Sequence, residues 1–331
     1  MIWRGLREED LAACLSVDPA RIGAETVGYN RAINAWRDLM RSTSFHSAVI
    51  EADPPVAGHR IVAFGASVFV SRVFADEKIS NPSPGLNACI IASIAAGQAV
   101  VLNKAELRSA NTEGGLDLVV LYGNWRKDMI SEQVSEAQML LTSSFLQLHR
   151  GFRLNRLIFE SMDEGERKSY IEASGAWQTI SDFSEFYSEH PNTHWNRGRS
   201  LGLTTRNEAF RSPGNITALL FQYNEPVLRL QEADQQLLNA ALTGLTDEEL
   251  ALNLAIRLPT VKKRWRALFE RASTHADLFH DMCDGLEGSG RGRQKRQFIL
   301  TYVRDHPEEL RPFESKDRSR ERILIREQSR I

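Results

Sequence analysis

The stretch 230–272 constrains this chain most, because its pattern predicts three short helices separated by two tight breaks. Apolar residues recur at helical spacing in the first helix: Leu237, Leu238, Ala241 and Leu242. Gly244 suits the position just after a helix C-terminus, where left-handed backbone is common. Thr246 and Glu249 have the spacing of a capping box, which predicts the start of the second helix. The buried face of that helix is predicted to be Leu250, Ala251 and Leu254.

The third helix has two chemically different faces. Pro259 fits its first turn, where the missing N–H costs nothing. At 100° per residue, one side carries the apolar set Val261, Trp265, Leu268 and Phe269. The opposite side carries Thr260, Lys263 and Arg266, with Lys262 and Arg264 on the flanks. A helix packed on one face and cationic on the other suits the major groove of DNA, because charges can meet phosphates while outward residues reach base edges.

The same stretch resembles the LuxR-type helix-turn-helix of bacterial transcription regulators. The matching positions are Leu230, Leu245, Thr246, Glu249, Leu250, Ala251, Leu254, Ile256, Thr260, Val261 and Lys262. The resemblance implies that the third helix binds double-stranded DNA. It also implies that Lys262, Lys263 and Arg266 approach bases, and that Thr260 and Arg264 approach the DNA backbone.

Two positions depart from the family pattern. Ala255 stands at the usual glycine of the turn, so the turn must avoid positive φ or accept some strain. Arg257 stands at the usual serine N-cap; it cannot cap the helix, but it can add a phosphate contact. The alternative interpretation is a solvated basic helix within a helical bundle.

Charge is distributed unevenly along the 331 residues. The part from residue 257 onward has 18 Lys and Arg against 12 Asp and Glu, a net charge of +6, whereas the remainder has 23 against 31, or −8. An acidic body with a basic C-terminal part is typical of a regulator whose DNA contacts are confined to one end. The range 281–296 adds four glycines and four cations, which predicts a basic hinge or a further phosphate-contacting arm.

Residues 1–190 are predicted to form an α/β or α+β domain. Helices are expected near 8–16 and over 25–41, and strands over 45–51 and 61–71. The range 88–96 is compatible with a buried helix or a strand. The run 116–123 predicts a strand, and Ser131 is expected to cap an amphipathic helix that reaches Arg150. The range 191–228, which is rich in turn residues, is interpreted as a linker.

This order of elements resembles acetyltransferases of the GNAT superfamily. In that family, the pyrophosphate of the cofactor binds a glycine-containing turn between strand and helix, where backbone N–H groups stabilise negative charge. The corresponding turn 123–128 lacks glycine spacing and contains Trp125. We therefore expect a relative of the fold that senses a ligand or dimerises rather than an enzyme. A small molecule, if bound, is expected near Trp125 and Tyr122.

Other chemistry is sparse. Cys14, Cys89 and Cys283 lie far apart, outside any metal-ligand spacing, and predict buried thiols. His149 with Glu160 is one candidate acid–base pair, and His190 with His194 and Asp182 is a candidate metal or acid–base set. Pro191 disfavours a helix there, so surface or linker histidines are the preferred interpretation. No metal and no cofactor is predicted.

The N-terminus becomes charged at Arg4, which argues against a signal peptide, and the apolar run 88–102 is too short to span a bilayer. A reduced, cytoplasmic location without a membrane partner is the expectation.

The sequence therefore predicts a transcription regulator with four parts. These are a sensing or dimerising domain (1–190), a linker (191–228), a LuxR-type DNA-binding domain (229–275), and a basic hinge with a helical tail (276–331). Its expected partners are double-stranded DNA, a second copy of the chain and an unidentified small-molecule inducer. The alternatives are an acetyltransferase-like enzyme fused to a DNA-binding module, and a protein-interaction scaffold with a repurposed helix-turn-helix.

Overall fold

The structure is a computed structural model that describes residues 1–162, 165, 177–190, 198–211, 215–275 and 291–314. The chain divides into two compact units, Met1–Gln222 (unit 1) and Tyr223–Ile331 (unit 2). Within the described ranges, no helix is long and apolar enough to cross a bilayer.

Unit 1 is built on a mixed seven-stranded sheet with the strand order β1-β2-β3-β4-β5-β7-β6. All neighbouring strands are antiparallel except β4 and β5, which are parallel. The strands are β1 (Ile2–Arg4), β2 (Phe45–Val56), β3 (His59–Val70), β4 (Leu116–Trp125), β5 (Leu154–Ser161), β6 (Gln178–Asp182) and β7 (Ser200–Thr205). Because a parallel pair needs a crossover, the long helix between β4 and β5 lies across the sheet.

Ten α-helices surround this sheet in the described part of unit 1. They are α1 (Leu11–Leu15), α2 (Ala24–Val27), α3 (Tyr29–Met40), α4 (Arg72–Ser80), α5 (Leu86–Ala95), α6 (Lys104–Thr112), α7 (Ser131–His149), α8 (Ser184–Glu189), α9 (Arg206–Arg211) and α10 (Ile216–Phe221). Short 3-10 turns lie at Glu8–Asp10 and Pro19–Arg21.

The largest core of unit 1 is organised around Trp36 on α3. Its side chain is 0 % exposed, and its indole N–H donates to the carbonyl of Ile22 at 3.1 Å. The ring packs edge-on against Phe45, with a centroid distance of 6.3 Å, and at a tilt against Phe64 at 6.4 Å. Trp36 therefore joins α3, the segment after α1 and two strands of the sheet.

The mixed α/β class predicted for the N-terminal part is confirmed. The strand predicted over 116–123 is β4, and the ambiguous range 88–96 is helical, since α5 spans Leu86–Ala95. One local detail was wrong: Ser131 is the first residue of α7, whereas Ile130 occupies the N-cap position and has its backbone N–H bonded to the side chain of Gln133 at 3.3 Å.

The linker predicted over 191–228 differs from the structure. Strand β7 lies in the middle of this range and pairs with both β5 and β6. Helices α9 and α10 follow it, and Ala209, Leu220 and Phe221 are buried in a core with residues of β4 and β5. Unit 1 therefore extends to Gln222, beyond the predicted limit at residue 190. Residues 191–197 and 212–214 lie outside the described residues.

Unit 2 contains helices and no strand among its described residues. They are α11 (Glu232–Ala241), α12 (Asp247–Asn253), α13 (Leu258–Ser273) and α14 (Arg291–Asp305), followed by a 3-10 turn at Pro307–Leu310. The first three lie where the sequence predicted three helices.

The basic hinge and tail predicted over 276–331 differ in part. Residues 291–305 form α14, and its residues Ile299, Leu300 and Val303 are buried in the same core as Val261 and Leu268 of α13. This segment is therefore packed into unit 2. Residues 276–290 and 315–331, which hold the rest of the predicted hinge and tail, lie outside the described residues.

Candidate nucleic-acid interface and candidate ligand site

The start of α12 has the predicted capping box. The side-chain oxygen of Thr246 accepts from the backbone N–H of Glu249 at 3.3 Å, and the carboxylate of Glu249 accepts from the backbone N–H of Thr246 at 2.7 Å. These hydrogen bonds favour the charged carboxylate and hold the pKa of Glu249 below its usual value. The prediction is confirmed, and the turn that leads into α12 is fixed by local contacts.

The turn between α12 and α13 contains an alanine in a backbone conformation that favours glycine. Ala255 has φ of 51°, in the left-handed region, where a Cβ atom crowds the neighbouring carbonyl. The backbone N–H of Ile256 reaches back to the carbonyl of Ala251 at 2.9 Å, which satisfies one of the last carbonyls of α12. The sequence left two possibilities for Ala255, a turn without positive φ or a strained turn with positive φ. The structure has the second.

A substitution at this turn gives a direct prediction. Ala255→Gly is expected to stabilise unit 2 by about 1 kcal/mol, because glycine adopts positive φ without the Cβ penalty, offset partly by its greater freedom in the unfolded chain. Chemical denaturation followed by helix circular dichroism measures the change. A lower midpoint for Ala255→Gly would contradict the strain assigned to this turn.

One face of α13 is packed as the wheel predicted. Val261, Trp265, Leu268 and Ala272 are at most 4 % exposed. Phe269 is only half-buried and stacks on Trp265 with a centroid distance of 5.9 Å, so it borders the packed face. This packing fixes which side of α13 remains at the surface.

The surface side of α13 carries a cluster of cations. Arg257, Lys262, Lys263 and Arg266 are exposed, and Thr260 is half-buried. Within the part of the chain that the structure describes, none of these four cations forms an ion pair. In particular, no ion pair joins Arg266 to Glu270, which lies four residues further along the helix. We call Arg257, Lys262, Lys263 and Arg266 the cationic face of α13.

Arg264 and Arg257 have different surroundings. Arg264 is half-buried on the flank of α13, and its guanidinium donates to the backbone carbonyl of Ala233 at 3.2 Å. It thus ties α13 to the start of α11 in addition to the backbone role that the resemblance implies. Arg257 occupies the N-cap position without a side-chain cap, as its chemistry requires.

In unit 1, the parallel pair of strands separates before either strand ends. Registered pairs between β4 and β5 run from Leu116 and Leu154 to Val120 and Phe159. A register shift between β3 and β4 leaves Leu121 as an extra, bulged residue at the point of separation. The carboxyl ends of parallel strands at such a point are frequent ligand sites in α/β proteins.

Side chains of unit 1 fill the space beside these separated ends. The Asn87 amide donates to the carbonyl of the bulged Leu121. The backbone N–H groups of Gly85 and Leu86 donate to the carboxylate of Glu160, at 2.6 and 2.9 Å. The guanidinium of Arg21 lies 5.4 Å from the ring centroid of Phe159.

Tyr122, named with Trp125 as a ligand-site residue, is 1 % exposed. Its hydroxyl donates to the carbonyl of Asp18 at 2.7 Å, and burial raises the pKa of Tyr122. The sequence offered no signal for the bridging roles of Asn87 and Glu160, because both depend on contacts between distant parts of the chain.

The turn after β4 is poorly suited to a pyrophosphate group. Trp125 is half-buried and packs against the core formed by strands β2 and β3. A surface cavity beside the start of α7, with a volume of about 450 Å³, is lined by Asp53, Asp128, Glu136 and Met1, whose terminal ammonium pairs with Glu136 at 2.6 Å. The cavity therefore keeps a net negative charge, which repels phosphate groups and opposes the attraction of the helix N-terminus.

The remaining candidates that lie among the described residues have separate hydrogen-bond or ring partners. His149 forms hydrogen bonds with the hydroxyl of Ser67 at 2.8 Å and with the carbonyl of Phe145 at 2.7 Å. Glu160 belongs to β5, and its carboxylate accepts from the backbone N–H of Gly85 before α5. His190 stacks on Phe186 with a centroid distance of 4.6 Å. Asp182 accepts from the backbone N–H of Ser184 at 2.8 Å. His194 lies outside the described residues.

Among the described residues, no three His, Cys, Asp or Glu side chains are placed to hold a metal ion. Cys14 is a buried thiol, as expected, and burial raises its pKa to about 12. Cys89 is half-buried. Cys283 lies outside the described residues.

Comparison with known proteins does not assign a function to this chain. No family model matches the chain, and no curated protein matches it. A solved structure that matches is "The structure of FeeM, an N-acyl amino acid synthase from uncultured soil microbes", at 9 % identity and a TM-score of 0.32. The match covers 62 % of this chain and 93 % of that chain. A TM-score this low does not establish a shared fold, so no function is carried over from it.

Proposed function

We propose that the protein is a transcription regulator that binds double-stranded DNA through α13 of unit 2. The observation that carries the proposal is the cationic face of α13, which is exposed and forms no ion pairs within the described residues. Lys262 and Arg266 are four residues apart, a spacing at which like charges destabilise a helix when no counter-charge is near. Three exposed cations on the surface side of α13, with Arg257 just before it, favour an anionic partner.

The dimensions of α13 fit the partner. Its 16 residues make a helix of about 24 Å, long enough to lie along the major groove. The packed face, centred on Val261 and Trp265, attaches it to α11 and α12. In this proposal, Lys263 and Arg266 face the base edges, because they lie farthest from the packed face. Lys262 and Arg264 on the flanks meet phosphates or groove edges, as do Arg257 and Thr260 at the start of the helix.

Unit 1 would then sense a ligand or join two copies of the chain. A homodimer would present one α13 helix to each of two half-sites on the DNA. The number of DNA contacts would double, although each chain has a single DNA-binding unit.

The proposal is tested by selecting bound sequences from a random pool of DNA duplexes with the full chain. If no sequence is enriched and binding does not depend on salt, the proposal is wrong, and the scaffold interpretation of unit 2 gains support. An enriched motif supplies the duplex for the variants described below.

Arg266 gives a prediction about sequence specificity. Arg266→Ala is expected to relax preference at one position of the half-site by about 1–3 kcal/mol, because a bidentate Arg–guanine contact discriminates by that amount. The selected duplex and its single-base variants should be titrated with the wild type and with Arg266→Ala. A uniform loss across all variants, with their ranking preserved, would show that Arg266 does not read a base.

A second candidate function is acyl transfer by unit 1, and one observation favours it. The separated ends of β4 and β5 leave main-chain groups near the bulged Leu121 that an extended ligand could pair with. The side chain of Asn87 at that carbonyl and the acidic cavity at the start of α7 count against it.

Thermal melting with acetyl-CoA, and with coenzyme A as the matched control, separates the two functions. Protection by acetyl-CoA in the full chain, together with consumption of the thioester, would favour an enzyme fused to a DNA-binding unit. An unchanged melting temperature at millimolar ligand would leave unit 1 as a sensing or dimerising part.

A further inference from the structure

Three side chains from three different helices meet beneath α13. The guanidinium of Arg296 forms an ion pair with the carboxylate of Asp247, at 2.9 Å, and donates to the carbonyl of Leu245 at 2.6 Å. The Cζ atom of Arg296 lies over the ring of Trp265, 5.0 Å from its centroid. The indole N–H of Trp265 donates to the same carboxylate oxygen of Asp247, at 3.1 Å. Arg296 is thus in contact with both helices that define the turn at Ala255.

These contacts exploit chemistry that is particular to arginine. A planar guanidinium can donate in two directions while stacking on an aromatic face, which an ammonium cannot do. Asp247 is the first residue of α12, where a carboxylate is also stabilised by the helix dipole. The cluster of Asp247, Trp265 and Arg296 therefore fixes the start of α12 against the middle of α13.

The segment that carries Arg296 is itself anchored at its far end. Glu309 is 1 % exposed, and its carboxylate accepts from the backbone N–H groups of Val227 and Leu228 at 2.7 and 3.0 Å. The amide of Gln235 on α11 donates to the carbonyls of Glu309 and Arg311, at 3.1 and 2.6 Å. Residues 291–311 are thus held against the first segment of unit 2 as well as against α12 and α13.

We propose that Arg296 is a positioning residue for the cationic face of α13, an inference that rests on the proposed DNA binding. Trp265 lies on the packed face, one turn from Val261 and next in sequence to Arg264 and Arg266. By holding the indole between its own guanidinium and Asp247, Arg296 fixes the rotation of α13 about its axis. That rotation decides whether Lys263 and Arg266 point into the groove together. The C-terminal helix α14 is then part of the DNA-reading unit, although it supplies no base contact through Arg296.

The test compares three variants of the full chain on the duplex selected by the wild type. Arg296→Ala removes all three contacts, and it is expected to weaken binding roughly tenfold, because an unheld α13 must be ordered when DNA binds. The slope of log K against log[salt] is expected to stay unchanged, since no phosphate contact is lost. Arg296→Lys can retain the ion pair with Asp247, but it loses the second hydrogen bond, to Leu245, and the guanidinium contact with the Trp265 ring. Its affinity for the duplex should therefore lie between those of the wild type and Arg296→Ala.

Leu300→Ala is the control for stability alone. Leu300 is 7 % exposed on the same helix, and its truncation destabilises the core without removing the ion pair of Arg296 with Asp247. It should lower the melting temperature at least as much as Arg296→Ala, yet leave affinity, measured well below the transition, close to wild type.

Three results would overturn the inference while leaving the proposed DNA binding intact. The first is an unchanged affinity in Arg296→Ala. The second is a salt slope reduced by about 0.9 in Arg296→Ala, which indicates a direct phosphate contact. The third is an equal loss of affinity in Arg296→Ala and Leu300→Ala. If Arg296→Ala fails to fold, Arg296→Lys decides the question by the same criteria. A wild type that binds no duplex overturns the proposed function and this inference together.

Discussion

Replacing Lys262, Lys263 and Arg266 together with alanine is expected to weaken DNA binding by about a hundredfold at 0.15 M salt and to lower the salt slope by roughly 0.9. Lys262, the one of the three assigned to phosphate, accounts for the slope, because each phosphate contact releases about 0.9 counterion. The loss in affinity comes mainly from the base contacts of Lys263 and Arg266, each worth about 1–3 kcal/mol. All three side chains are exposed and form no ion pair within the described residues, so their removal leaves no described charge without a partner.

The matched control is Arg304→Ala. Arg304 is exposed on α14 of the same unit, and it forms no described ion pair, so the variant removes one charge without touching α13. Its salt slope should equal that of the wild type. Titrations at several salt concentrations, followed by fluorescence anisotropy of a labelled duplex, measure both quantities. If the triple variant and Arg304→Ala keep the wild-type slope, the cationic face of α13 is not the DNA-binding surface.

Trp36→Ala is expected to destabilise unit 1 by about 3–5 kcal/mol, the usual cost of truncating a fully buried aromatic residue. The indole is 0 % exposed and contacts two rings from different strands, so its removal leaves a cavity at the junction of α3 with the sheet. The carbonyl of Ile22 also loses its hydrogen-bond donor. For a unit of about this size, the loss corresponds to a melting temperature lower by roughly 10 °C.

Tyr29→Ala on the same helix is the control for this variant. Tyr29 is 56 % exposed, so its truncation should change the stability of unit 1 by less than about 0.5 kcal/mol. Hydrogen exchange of amides in β2 and β3 reports on unit 1 alone, which avoids the ambiguity of a single transition in a chain with two units. Equal exchange rates in Trp36→Ala and the wild type would mean that this core does not hold the sheet together.

The three-helix stretch could be predicted in detail because its signals are local. The capping box joins residues three positions apart, Pro259 and Ala255 act on their own backbone, and the helix faces follow from the period of 3.6 residues. Each of these features is decided by contacts within one or two turns of the chain. Strand β4 could also be predicted from its local sequence, because a short continuous run of Leu and Val is typical of a buried strand.

The errors lie where partners are distant in sequence. Strand β7 was interpreted as linker because the sequence on both sides of it, at 197–199 and 211–215, is rich in turn residues. It becomes a strand because β5, about forty residues earlier, offers a free edge for pairing. Helix α14 lies within the predicted basic hinge and helical tail, and a short helix over 297–304 was expected there. The sequence did not reveal that Ile299 and Val303 are buried against α13, because that packing joins separate segments of the chain.

By itself, the sequence determined that unit 2 has a helix with one packed face and one cationic face, since helical periodicity alone separates Trp265 from Lys263. Only the tertiary structure decided which cations remain available. Arg264 is drawn to the carbonyl of Ala233 and Arg296 to Asp247, whereas Lys262, Lys263 and Arg266 are left exposed. The physical reason is that a charge pattern follows from periodicity, but the partner of each charge depends on packing between segments that are remote in the chain.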